Sequence, residues 1–111
     1  MAYDEKLAAR IRELVAGEKS VTEKKMFGGL AFLVGGHMAV AASGRGGMMV
    51  RVDPAESDAL VAKTKARVVE MRGRDMPGWL RVDTDDVKTK RQLEVWVARG
   101  VGYARSLPPK G

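Results

Sequence analysis

Between Met26 and Gly44 the chain runs for 19 residues without a lysine, arginine, aspartate or glutamate. A run of that length approaches the ~20 apolar residues a membrane-spanning helix needs. Five of the 19 are glycine, however, and Gly35-Gly36 sits between two apolar stretches. A Gly-Gly pair in that position is hairpin chemistry, because glycine takes the positive φ of a two-residue turn without steric cost. The run therefore predicts strand, turn and strand, and not a span.

Alternation extends the pattern on both sides. Leu30, Phe32 and Val34 share one strand face, with Ala31 and Leu33 on the other. After the turn, Met38, Val40 and Ala42 repeat it. Ser43-Gly44-Arg45-Gly46-Gly47 makes the next turn, and Met48, Val50 and Val52 return, with Met49 and Arg51 facing the opposite way. Val21 to Met26 reads as a preceding strand with poor alternation. Short apolar strands joined by glycine turns form an antiparallel meander.

Helices flank the meander. Asp4 is placed to cap a first helix in which Leu7, Ile11, Leu14 and Val15 fall on one face, with Gly17 at its end. Asp53-Pro54-Ala55-Glu56 predicts a second helix reaching about Lys65. Its cap would be Asp, with Pro at the first helical position, Glu completing a capping box, and Leu60 and Val61 buried. Val68–Met71 and Trp79–Val82 then read as a strand pair around a loop from Arg72 to Gly78. Thr89-Lys90-Arg91-Gln92 is a further capping box. It opens a helix with Leu93, Trp96, Val97, Gly100, Ala104 and Leu107 inward and Pro108-Pro109 as the stop. Gly100 and Gly102 inside that helix imply close packing on the sheet or a kink. The fold class is α+β, a mostly antiparallel sheet packed with helices in the order α-β(4)-α-β(2)-α.

With 111 residues there is room for one domain, spanning 1–111, and 45% hydrophobic with 31% charged residues suits a globular core. The chain has no cysteine, which excludes disulfides, thiolate metal sites and cysteine nucleophiles. The polar N-terminus lacks a signal-peptide core, so cytoplasm is the expected location and no membrane partner is expected. A net charge of +6 is spread along the chain with no run of five basic residues. It reads as a solvated basic surface unless folding gathers it on one face.

The search for chemistry returns no catalytic, cofactor or metal residues. His37 is the only histidine. A triad with Ser43 and an aspartate would need a nucleophile elbow that the sequence does not contain, so His37 reads as a turn residue. Asp83, Asp85 and Asp86 precede a helix start, where negative charge is stabilised by the helix dipole. No glycine pair matches a phosphate-binding loop. Two surfaces remain as interaction candidates: Lys24, Lys25, Phe27, Gly28 and Gly29 at a strand-to-turn junction, and the Arg72–Trp79 loop with Arg74. Arginine beside an aromatic is enriched at interfaces, although Phe27 and Trp79 also suit a core.

Lys25-Met26-Phe27-Gly28-Gly29, the apolar hairpin and Met49-Val50-Arg51 resemble the N-terminal domain of the TfoX/Sxy competence regulators. Met76-Pro77-Gly78-Trp79 and the stretch from Tyr103 to Pro109 are similar to small members of that family, so the likeness covers nearly the whole chain. It adds Arg51 to the candidate surface. The resemblance implies a secretion-chaperone-like α+β architecture and a non-enzymatic regulatory role beside a transcription regulator. It supplies no catalytic residues and no cofactor. The full-length competence regulators carry a second, C-terminal domain, and this sequence ends at Gly111 without one. The expected partner is therefore a protein, with direct nucleic-acid binding through a basic face as the alternative and a small-ligand or enzymatic role as a third. Either a monomer or a homodimer fits.

Overall fold

The computed structural model describes residues 4–26, 28–44, 46–71 and 73–108. Helix α1 (Glu5–Val15) begins as its sequence predicts. Asp4 Oδ1 accepts the N–H groups of Lys6 and Leu7 at 3.0 and 3.1 Å, satisfying two donors that a helix start leaves open. Leu7, Ala8, Ile11 and Val15 are buried and Leu14 is half-buried. Gly17 does not supply a left-handed stop. Ala16 caps the helix in right-handed geometry and the chain turns later, at Ser20, φ 62°. The Ser20 carbonyl there accepts the Gly35 N–H at 3.2 Å.

The meander follows as β1 (Val21–Met26), β2 (Gly29–Val34), β3 (His37–Ala42) and β4 (Met48–Arg51). Gly35 and Gly36 join β2 to β3 with φ of 60° and 87°, the two positive values that a type I′ hairpin requires. Helix α2 (Ser57–Lys63), β5 (Arg67–Met71), β6 (Arg74–Val82) and α3 (Lys90–Ser106) complete the order α-β(4)-α-β(2)-α. All six strands form one antiparallel sheet, ordered β1-β2-β3-β4-β6-β5. The α+β class and the element order agree with the sequence.

Four further local expectations are corrected. Met38 does not share the core face with Val40 and Ala42. Ala39 is an extra, unpaired residue opposite the Phe32/Leu33 step, and this bulge sends Met38 to the other face while Ala39 joins the core. The second helix starts at Ser57, not beside Pro54. Asp53 Oδ1 takes the Ala55 N–H at 2.9 Å, and Glu56 N–H bonds the Asp53 carbonyl at 2.8 Å. Residues Pro54–Glu56 are thereby closed into a 3-10 turn in place of a capping box. The helix also ends at Lys63, with Leu60 and Val61 half-buried.

The third correction concerns the segment from Arg74 to Gly78, which is strand and not loop. Val68 pairs with Leu80 but Val69 pairs with Met76, so Pro77, Gly78 and Trp79 bulge from the β5–β6 ladder. Proline and glycine are tolerated in a strand at such an irregularity. Gly78, φ 87°, donates its N–H to the buried Ser57 Oγ at 2.6 Å and accepts the Val52 N–H at 2.7 Å. The fourth concerns Gly102: only Gly100 packs closely, against the Ala39 carbonyl, whereas nothing lies within 4 Å of a Cβ built at Gly102.

All three helices contribute to one apolar cluster with the same sheet face, which buries Leu30, Phe32, Val34, Val40, Met48, Val50, Leu80 and Val82. The Thr89 capping box forms as expected, with both hydrogen bonds at 3.1 Å.

Candidate functional site

The opposite sheet face is the feature that the helices leave over. An antiparallel sheet with one solvated face ordinarily alternates apolar-in and polar-out. Here the second face is apolar as well. Ala31, Met38 and Ala41 are buried on it, with Met26, Leu33, Met49 and Trp79 half-buried around them. The register explains how charge frames it. One cross-strand row reads Lys24, Ala31, Ala41, Met49, Arg81, Arg67 from edge to edge. Three apolar residues form its middle and cations occupy both ends. An adjacent row carries Thr22, Leu33 and Met38, and Arg51 is paired with Trp79. The Arg51 guanidinium lies 5.1 Å from the Trp79 ring centre and 5.5 Å from that of Tyr103 on α3, a cation held by two aromatic faces. Arg81 also donates to the Gly46 carbonyl at 3.1 Å, and Arg67 pairs with Asp83 at 2.8 Å.

The candidate residues are thus partly gathered and partly dispersed. Lys24 and Trp79 share the second face, and Arg51 sits at its rim between Trp79 and Tyr103 of α3. Lys25 pairs with Leu30 and belongs to the helix side, so adjacent lysines point to opposite faces of an edge strand. Gly29 starts β2, where a Cβ would press on the Ala42 carbonyl, and Gly28 turns the chain before it. Arg74 is exposed at the start of β6. Phe27 and Arg72 lie outside the described residues. Trp79 is half-buried and not part of the main core. Leu33, Met38, Met49, Arg67, Arg81 and Tyr103 were not singled out from the sequence. Their signal is legible in part, since β2 carries Ala31 and Leu33, and β4 carries Met49, at positions facing away from the core.

His37 and Ser43 bracket β3, about 20 Å apart at the strand's rise per residue, so they form no dyad. His37 Nε2–H instead donates to the Pro108 carbonyl at 2.6 Å, tying down the segment after α3. Asp83 precedes a 3-10 turn, Thr84–Val87, that contains Asp85 and Asp86, and the three meet Arg67, Lys88 and Lys65 at 2.8, 3.3 and 3.9 Å. No group of three or more metal-ligating side chains occurs among the described residues. Among them, too, no helix is long and apolar enough to cross a membrane.

A single antiparallel sheet with helices on one face and a cation-framed apolar face on the other defines an α+β domain with an unpartnered surface. The chain belongs to the TfoX N-terminal domain family, whose model matches residues 13–104. No curated protein matches it. The matched span takes in every strand and most of α3.

Proposed function

We propose that this chain is a non-enzymatic regulatory domain that acts by binding another protein through the second sheet face. The observation that supports this most directly is the cross-strand row with Ala31, Ala41 and Met49 at its centre, Lys24 at one end and Arg81 and Arg67 at the other. Apolar patches rimmed by polar groups mark interaction surfaces, and methionines let such a surface adapt its packing to a partner. Family membership favours the same reading, because TfoX N-terminal domains belong to competence-related regulators. A role beside a transcription regulator is the specific form we favour.

The test is quantitative capture of partners by the purified domain, comparing wild type with Leu33→Thr and Met49→Thr. Both residues are half-buried on the open face, and threonine keeps strand propensity. Circular dichroism verifies that each variant is folded. Partners recovered with wild type and depleted by both substitutions are the expected result. Identical recovery by all three proteins, or recovery of nothing above background, refutes the reading.

A further inference from the structure

Basic residues that are scattered in sequence converge at one place away from the second sheet face. A groove of about 520 Å³ runs between the C-terminal end of α2 and the first three turns of α3. Lys63, Lys65, Arg91 and Arg99 line it, and the one acidic residue among its described lining is Asp86, which is paired with Lys65 at 3.9 Å. Lys63 and Arg91 have no ion-pair partner among the described residues. Between the cations the groove is apolar: Val95 is exposed there, and Ala66, Val82 and Trp96 are buried beneath it. Val95, at 41%, is the exposed large hydrophobic residue of the described chain. Arg99 lies over the Trp96 ring, 4.7 Å from its centre.

We propose that this groove binds single-stranded nucleic acid. Cations in series track a phosphate backbone, and a guanidinium layered on an indole gives a flat platform on which an unpaired base can stack. The exposed Val95 adds apolar area beside that platform. A duplex would offer the same phosphates but keep its bases stacked inside, leaving the surface of Arg99, layered on the buried Trp96, and of Val95 unused. An acidic protein segment would use the cations but offers a flat ring only where an aromatic residue falls, whereas every nucleotide of a single strand carries one. The start of α3 adds the positive end of a 17-residue helix beside Arg91. This site is separate from the sheet face, and its test is independent of that reading.

The measurement is fluorescence anisotropy of labelled oligothymidylate and oligouridylate, about 12 nucleotides long, against a duplex of equal length over a salt series. The expected result is single-strand binding with a log–log salt slope of about −2 to −3, from three or four phosphate contacts at −0.7 each. Arg91→Gln combined with Arg99→Gln should weaken binding about tenfold or more and flatten the slope by about 1.4. Lys63→Gln, fully on the surface, should flatten it by about half as much. Lys24→Gln, on the other sheet face, should change nothing. In a Trp79→Phe background, oligonucleotide should quench the remaining Trp96 fluorescence. The proposal is overturned by absence of binding at low salt, by duplex binding as tight as single-strand binding, or by groove variants that bind like wild type.

Discussion

At Gly100, a methyl group added to the backbone would press against the Ala39 carbonyl oxygen and lie 2.8 Å from Val40 Cγ1. Two residues further along α3, at the exposed Gly102, the same methyl would meet nothing within 4 Å. Both glycines weaken the helix by backbone entropy, and only one is compensated by packing. Gly100→Ala should therefore destabilise the fold by about 2 kcal/mol, because α3 must lift from the bulge in β3. Gly102→Ala should stabilise it by roughly 0.5–1 kcal/mol. Urea denaturation of the two variants decides the matter, and changes of equal sign would contradict the packing described. Sequence presents the two positions alike, since a helical glycine carries no mark of what lies opposite. Ala39 reaches Gly100 only because the strand is bulged there. Residue-scale chemistry was more legible where the partner is local, as with Asp4 at the start of α1 and Thr89 with Gln92 at the start of α3.

Between elements, the clearest polar link joins α1 to the sheet edge. Arg12 donates through Nε and Nη2 to both oxygens of Glu23 on β1, at 2.6 and 2.8 Å. These hydrogen bonds, helped by the guanidinium charge, hold the Glu23 carboxyl below its ordinary value of 4.5 against the opposing effect of burial. A native pKa below the unfolded one stabilises the fold at pH above that ordinary value, and the contribution fades as pH falls through the lowered native pKa. The pair is well exposed, so Glu23→Gln should cost less than about 1 kcal/mol near neutrality. Thermal melts of wild type and Glu23→Gln should differ at pH 7 and converge in acid below the lowered pKa. A difference that persists or grows in acid would show that the carboxylate charge is not responsible. The same scale contains the main misreadings of the sequence. Pro77-Gly78 reads as a loop because proline removes a ladder donor, yet a bulge needs none at that position. Asp53-Pro54 reads as a helix start, but the turn it caps closes before α2 begins.

For the molecule as a whole, the sheet has two apolar faces of unequal standing. Phe32 is 1% exposed beneath the helices, whereas its chain neighbour Leu33 is half-buried on the face without them. Phe32→Ala should cost about 3–5 kcal/mol, the usual penalty for emptying a core aromatic site. Leu33→Thr should cost less than about 1 kcal/mol in the isolated domain. Chemical denaturation of the two variants reads this asymmetry directly, and a Leu33→Thr penalty approaching that of Phe32→Ala would mean the second face is already covered.

The uncharged run from Met26 to Gly44 was enough by itself to settle the central hairpin. Its period of two and its Gly35-Gly36 pair are local facts that no tertiary contact has to complete. Sequence likewise determined the order of helices and strands and the starts of α1 and α3, where caps and amphipathic spacing act within a turn or two. Tertiary structure decided the rest. It set Met38 on the far face, through a bulge; placed β6 between β4 and β5; and separated Lys24 from Lys25 across an edge strand. It also drew Lys63, Lys65, Arg91 and Arg99 to one groove. Each of these depends on which strand or helix lies alongside, and pairing across tens of residues is chosen by burial of the whole apolar face and not by any neighbour in the chain.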